Sequence, residues 1–207
     1  MKILLAVLSF FLVLARSYAQ NDFQQCAAAK NSIMSQLLVR GKLDSTDRET
    51  YLLLNDSWKN CIMGRTMPAF EARTLEGTML SSASMAGKII VLDFWFMACP
   101  PCIAELPELN QLVADYRDKN VIFLGGTIDT RRALRHRFLP KYRFDFTILP
   151  EADDLEDSFG ILNHPTIFII DRSGKAAAAW EGADADEDEK NSLYLKLKRT
   201  LDHLLGQ

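Results

Sequence analysis

Apolar positions recur along this chain with several spacings, and each spacing predicts a different kind of element. Residues Ile3 to Leu14 are apolar without a break except Ser9, behind a single positive charge at Lys2. From Phe23 to Trp58 the spacing is close to 3.6, through Ile33, Leu37, Leu38, Tyr51, Leu52, Leu54 and Trp58. Gly41 to Asp47 interrupts that stretch with Asp44, Ser45 and Asp47, which favour turns and caps, so two antiparallel helices joined by a short loop are predicted. Short strands are predicted around Phe70 and Met79, with Glu76-Gly77 as the turn between them. The run Ile89 to Phe96 is apolar and β-branched enough for a strand buried on both faces. Pro100 to Asp118 carries Cys102, Leu106, Leu109, Val113 and Tyr116 at helical spacing.

Strand and helix patterns then alternate: strand Val121 to Thr127, helix Arg131 to Lys141, strand Phe146 to Leu149, helix Asp153 to Phe159 and strand Thr166 to Ile170. Asp171 to Lys175 makes a turn into a short antiparallel strand ending near Trp180. A last helix, from about Asp186 to Leu205, presents Leu193, Leu197, Leu201 and Leu204 inward. Such alternation predicts an α/β fold with a central sheet flanked by helices, here preceded by a helical hairpin. Gly64 to Pro68 marks the boundary, dividing the chain into residues 1–19, a hairpin at 20–63 and the main domain at 64–207.

The first part reads as an address. Ser17-Tyr18-Ala19 places small residues where a signal peptidase reads, so cleavage after Ala19 is expected. The apolar core is too short to span a bilayer as a helix, and Cys26 lies too far along to be a lipoprotein cysteine. A soluble protein exported to the periplasm or cell envelope is therefore expected. The chain has 207 residues and a formal net charge of −3, and loss of Lys2 and Arg16 with the leader makes it more acidic by two. That balance argues against nucleic acid or an anionic membrane as partner.

All four cysteines, Cys26, Cys61, Cys99 and Cys102, lie beyond the leader, and an even number in an oxidising compartment favours disulfides. The two-residue gap in Cys99-Pro100-Pro101-Cys102 makes that pairing the most plausible, leaving Cys26 and Cys61 for each other. They would staple the open ends of the hairpin. The alternatives are two unpaired buried cysteines or, less favoured, a metal role.

A strand ending at Phe96 and a helix beginning near Pro100 put Cys99 just ahead of a helix N-terminus. Unpaired N–H groups and the helix dipole there favour a thiolate, so Cys99 is expected to be the nucleophile. Cys102, one turn inside, is expected to be more buried and to resolve the mixed disulfide. Pro100 and Pro101 suit a first helical turn and limit the motion of the pair. A C-x-x-C is also half of a zinc site, but no second C-x-x-C or H-x-x-x-H exists, so no metal is expected.

Asp93 lies inside the apolar strand, where an ionised carboxylate is disfavoured. Either it turns to water, or it sits beneath the cysteines with a raised pKa and accepts the Cys102 proton. Glu105, three residues past Cys102, is a second candidate acceptor or simply an exposed acid near the helix start. Pro165 enters an otherwise strand-like run and suits a special turn such as one with a cis peptide bond. His164 beside it either tunes the site or caps the loop. Arg131 to Arg137 reads as a solvated helix face or a docking patch, and Glu181 to Glu189 as an acidic lead into a helix.

These residues together resemble the thioredoxin-like proteins of the bacterial envelope of TlpA/ResA type, over about Gly64 to Gln207. Val91-Leu92-Asp93-Phe94-Trp95 leading to Cys99-Pro100-Pro101-Cys102 resembles the family's active-site strand and motif. Pro107 matches its helix-kinking proline, Glu105 the buried glutamate of ResA-like members, and Asp93 the buried aspartate of thioredoxin. His164-Pro165-Thr166, followed by Ile169-Ile170-Asp171 and Gly174-Lys175, is similar to its cis-proline loop and terminal hairpin. The segment Val121 to Lys141 resembles the insertion that separates this group from plain thioredoxin. Where tryptophan usually precedes the first cysteine, this chain has Ala98, which removes a flat apolar contact for partners.

The resemblance implies a thioredoxin-like fold with a mixed sheet and a thiol-disulfide oxidoreductase with no cofactor beyond the Cys99-Cys102 dithiol. Trp95, Pro100, Pro101, His164 and Pro165 would form the binding surroundings. The protein would reduce disulfides of exported proteins as a monomer, recharged by a membrane-bound electron donor. The rival readings are a dithiol oxidant or isomerase of the same fold, and a non-enzymatic module holding a metal or partner through the dithiol and His164. A peroxidase is disfavoured because Phe96 stands where the peroxidatic motif needs threonine.

Overall fold

The strand expected to be buried on both faces is the middle of the molecule. A computed structural model describes residues 22–36, 45–182 and 192–206. The expected leader, most of the interhelical turn and the first part of the expected last helix lie outside the described residues.

Helix α1 covers residues 22–36 and α2 covers Ser45–Ile62. A two-stranded antiparallel ribbon follows, β1 (Glu71–Arg73) with β2 (Met79–Ser81). The remaining elements are β3 (Ile89–Trp95), α3 (Pro100–Asp115), β4 (Val121–Thr127), α4 (Arg131–Ala133), β5 (Thr147–Pro150), α5 (Asp153–Phe159), β6 (Thr166–Ile170), β7 (Ala176–Glu181) and α6 (Leu193–Leu205). The main sheet has order β5-β4-β3-β6-β7, with β4 parallel to β3 and β5, and β6 antiparallel to β3 and β7. The expected mixed sheet flanked by helices is therefore present.

Alternation along β3 divides the core. Ile89, Val91 and Trp95 pack with Leu106 and Leu109 of α3 and Leu197 and Leu201 of α6. Ile90, Leu92 and Phe94 pack on the opposite face with Trp58, Phe159 and Phe168. All six of these β3 side chains are at most 5 % exposed. Each contributes about 1.5–3 kcal/mol by leaving water, enough together to carry one buried carboxylate, Asp93, on the same strand.

The hairpin covers the second face, but not with the stripe the apolar spacing suggested. Ile33 and Leu52 are exposed, whereas Phe23, Cys26, Ala27, Lys30 and Met34 of α1 and Asn55, Trp58 and Ile62 of α2 are buried. The buried stripe includes Lys30 and Asn55 because a carboxylate lies beneath it. Glu181, expected as part of an acidic lead into a helix, is 7 % exposed and ion-paired with Lys30. Lys30 Nζ also lies 4.0 Å from the Trp58 ring centroid. Cys26 and Cys61 are joined by a disulfide with their Cα atoms 5.8 Å apart.

One helix differs from expectation. The segment predicted as a helix from Arg131 to Lys141 is one α-turn followed by a π-helical turn, Leu134–Phe138, closed by the Leu139 N–H donating to the Leu134 carbonyl at 3.0 Å. The wider turn buries both Leu134 and Phe138 in the core around Trp95. Its arginines are not simply a solvated face. Arg131 donates to the Thr74 carbonyl at 2.5 Å and Arg135 to that of Leu75 at 2.9 Å, tying the β1–β2 ribbon down. The last helix is described from Leu193 to Leu205 and is capped by Ser192, whose side chain accepts the Leu195 N–H.

Candidate active site

The end of β3 and the start of α3 place the two cysteines. Cys99 is the N-cap of α3, extended in its backbone, and Pro100 and Pro101 fill the first helical positions. The Cys102 N–H donates to Cys99 Sγ at 3.3 Å, so a sulfur occupies the place of the usual capping oxygen. Cys99 and Cys102 form a disulfide with Cα atoms 5.3 Å apart. In this oxidised state the two are 2 % and 3 % exposed, so the expected difference in burial is absent. What distinguishes them is that Cys99 receives the helix-end N–H. Ala98 and Pro100 on either side of Cys99 are exposed.

Asp93 lies on the same face of β3 as Val91 and Trp95, the face on which Cys99 and Cys102 pack. It is 2 % exposed, Oδ1 has no hydrogen-bond partner, and burial pushes its pKa up to about 8. Asp93 does not turn to water. Glu105 is half-buried on α3 and shares a small cavity with Pro165, Ile167, Trp180 and Leu193, which brings it toward the proline loop rather than leaving it simply exposed.

Trp95, expected among the partner-binding residues, is corrected by the structure. It is 1 % exposed, with its ring centroid 4.6 Å from that of Phe138 and 4.7 Å from that of Phe144, so no partner reaches it. Its place depends on Gly125, where a Cβ would stand 2.6 Å from the Phe144 ring and 2.9 Å from Trp95 Nε1.

The His164–Pro165 peptide is cis. The His164 ring stands edge-on to Phe96 at 5.2 Å, and Nε2 lies 3.2 Å from Glu156 Oε1. The Phe96 carbonyl in turn accepts the Cys99 N–H at 3.1 Å, so the proline loop and the cysteine turn are one packed unit.

Three participants escaped the sequence reading. Glu156 sits on the buried side of α5 beside Leu155 and Phe159, a carboxylate on an apolar stripe, which is the signal that drew attention to Asp93. Asp129 follows β4 and accepts the Met97 N–H at 2.6 Å and the Thr127 hydroxyl at 2.9 Å. Asn163 donates to Glu181 at 2.7 Å, and nothing local marks it.

No helix among the described residues is long and apolar enough to cross a membrane. The model of the AhpC/TSA family matches residues 63–179. The chain is 28 % identical over 135 residues to the thiol-disulfide oxidoreductase ResA of Bacillus thuringiensis subsp. konkukian, covering 65 % of this chain and 77 % of that protein. It is 30 % identical over 132 residues to the ResA of Geobacillus thermodenitrificans, covering 63 % and 76 %. Among solved structures it is similar to MTB dsbF in its mixed oxidized and reduced forms, with a TM-score of 0.55 and 28 % identity over 67 % of this chain and 99 % of that one. With its cysteine turn, buried aspartate and proline loop, the chain belongs to the AhpC/TSA family, among the thioredoxin-like thiol-disulfide oxidoreductases of ResA/TlpA type.

Proposed function

We propose that the protein reduces disulfides of exported proteins through the Cys99-Cys102 dithiol. The Cys99 thiolate attacks one sulfur of a substrate disulfide, forming a mixed disulfide and releasing the first substrate thiolate. Cys102 loses its proton to Asp93 and attacks Cys99 Sγ, which releases the second substrate thiolate and leaves Cys99-Cys102 oxidised. The substrate gains two electrons from the dithiol, and its two thiolates take up one proton passed on from Asp93 and one from water, so no other cofactor is needed. A membrane-bound dithiol donor then restores the reduced pair. Glu105, beside Pro165, is a second acceptor on the same path. His164, Pro165, Pro100 and Pro101 surround the point of attack, and the protein acts as a monomer exported to the cell envelope after cleavage behind Ala19.

One observation carries this reading: Cys99 Sγ caps α3 and accepts the Cys102 N–H, an arrangement that stabilises negative charge on that sulfur. Reduction of insulin disulfides with dithiothreitol as donor tests it, since turnover is expected to vanish in Cys99→Ser. The direction is tested by equilibration with glutathione. A potential well below about −200 mV supports a reductant, and one near about −120 mV overturns that direction in favour of an oxidant.

A further inference from the structure

Glu181, at the end of β7, collects side chains from three separate parts of the chain. Lys30 of α1 forms an ion pair with Oε2, and both side chains are at most 3 % exposed. The Tyr51 hydroxyl of α2 donates to Oε1 at 3.3 Å, and Asn55 Nδ2 to the Glu181 carbonyl at 3.5 Å. On the other side, Asn163 Nδ2 donates to Oε1 at 2.7 Å.

The backbone repeats the link. Thr166 pairs with Glu181 across the β6–β7 ladder, and the Gly182 N–H donates to the Pro165 carbonyl at 2.8 Å. Thr166 Oγ1 donates to the Asn163 carbonyl at 2.7 Å, closing the turn on itself. The segment Asn163 to Thr166 is thus fixed from Glu181 on one side and meets the cysteine turn through His164 and Phe96 on the other.

A buried ion pair is a poor device for stability, because apolar residues of similar volume often do as well or better. A carboxylate with several partners in fixed directions is a good device for position. Lys30, Tyr51 and Asn55 all lie outside residues 63–179. The means of fixing this turn therefore come from a part of the chain that the family match does not cover.

We propose that Glu181 is a positioning residue for thiol-disulfide exchange: the N-terminal hairpin holds its carboxylate, and the carboxylate holds Asn163 and the His164–Pro165 turn at the place where a substrate polypeptide lies against the cysteine pair. The inference rests on the exchange reaction proposed above. A small reagent attacking Cys99 has no need of the turn, whereas a polypeptide disulfide does.

The test compares the wild-type protein with Asn163→Ala and Glu181→Gln, each purified as the full mature chain. Asn163→Ala leaves the Lys30–Glu181 pair intact and is the decisive variant if Glu181→Gln folds poorly. Insulin reduction is measured as kcat and KM, and Cys99 reactivity as the iodoacetamide alkylation rate of the reduced protein. The expected result for Asn163→Ala is a KM for insulin raised about fivefold, the weight of one hydrogen bond, with alkylation unchanged. An unchanged KM, or equal losses in KM and alkylation, overturns the role of Glu181 while leaving the exchange reaction standing. Wild-type protein that does not reduce insulin overturns the exchange reading and this one with it.

Discussion

The Met97 N–H donates to the Asp129 carboxylate at 2.6 Å, so the turn that delivers Cys99 is anchored to the end of β4 as well as to its own helix. Asp129 is itself held by the Thr127 hydroxyl at 2.9 Å, which makes the anchor rigid. Hydrogen bonds to a charged acceptor contribute about 1.5–3 kcal/mol. Asp129→Ala is therefore expected to lower kcat/KM for insulin reduction by about tenfold. Asp129→Asn, which keeps an acceptor oxygen, should lose less. Equal activity in the alanine variant and the wild type would show that the turn keeps its shape without this anchor.

Asp93 links the chemistry to pH. Its folded pKa is about 8 because of burial, against the ordinary value of 3.8. Between these values the folded protein holds a proton that the unfolded chain has released, so stability falls as pH rises through this window and levels off above about 8. Asp93→Asn lacks the ionisable group. Its stability relative to wild type should rise by about 2–3 kcal/mol between pH 6 and pH 9, measured by urea unfolding of the oxidised proteins. The same substitution should slow the attack of Cys102 on a trapped mixed disulfide at least about tenfold, given the usual weight of a general base. Parallel stability curves for the two proteins would mean that Asp93 ionises normally.

The Cys26–Cys61 disulfide closes a loop with a sequence separation of 35. The chain-entropy model gives such a bridge about 3–4 kcal/mol. The double variant Cys26→Ala/Cys61→Ala is expected to melt about 10 °C lower than wild type by calorimetry. A melting temperature within a degree or two of wild type would show that the burial of Phe23, Trp58 and Ile62 alone holds the hairpin down.

Gly125 permits the aromatic stack behind the cysteines. A methyl group there meets the Phe144 ring at 2.6 Å and Trp95 Nε1 at 2.9 Å, both inside the packed core. Gly125→Ala should destabilise the fold by about 1–3 kcal/mol. It should also shift the emission of the protein's tryptophans as the Trp95 ring moves. Unaltered emission together with an unaltered urea midpoint would mean that the two rings relax without strain.

The strands Val121–Thr127 and Thr166–Ile170 and the helix Asp153–Phe159 have the bounds that their apolar patterns predict. Long β-branched runs bounded by turn residues admit few alternatives. The hairpin was legible as two helices, but the apolar positions that mark it include Ile33 and Leu52, which are exposed. Hydrophobic spacing points to the buried side only when that side is apolar, and here Lys30 and Asn55 belong to it. Likewise, the spacing of Arg131 to Lys141 does not distinguish an α-turn from a π-turn, because the choice was made by the packing of Leu134 and Phe138 in the core around Trp95.

By itself the sequence determined the order of the elements, the two-residue gap between Cys99 and Cys102 and the presence of a carboxylate in the central strand. Those are local properties, written in neighbours a few positions apart. The tertiary structure decided which polar groups meet: Asp129 with Met97, Glu156 with His164, and Lys30 with Glu181. Paired polar groups satisfy one another across distant parts of the chain and follow no period, so they become visible only when the sheet and helices have brought them together.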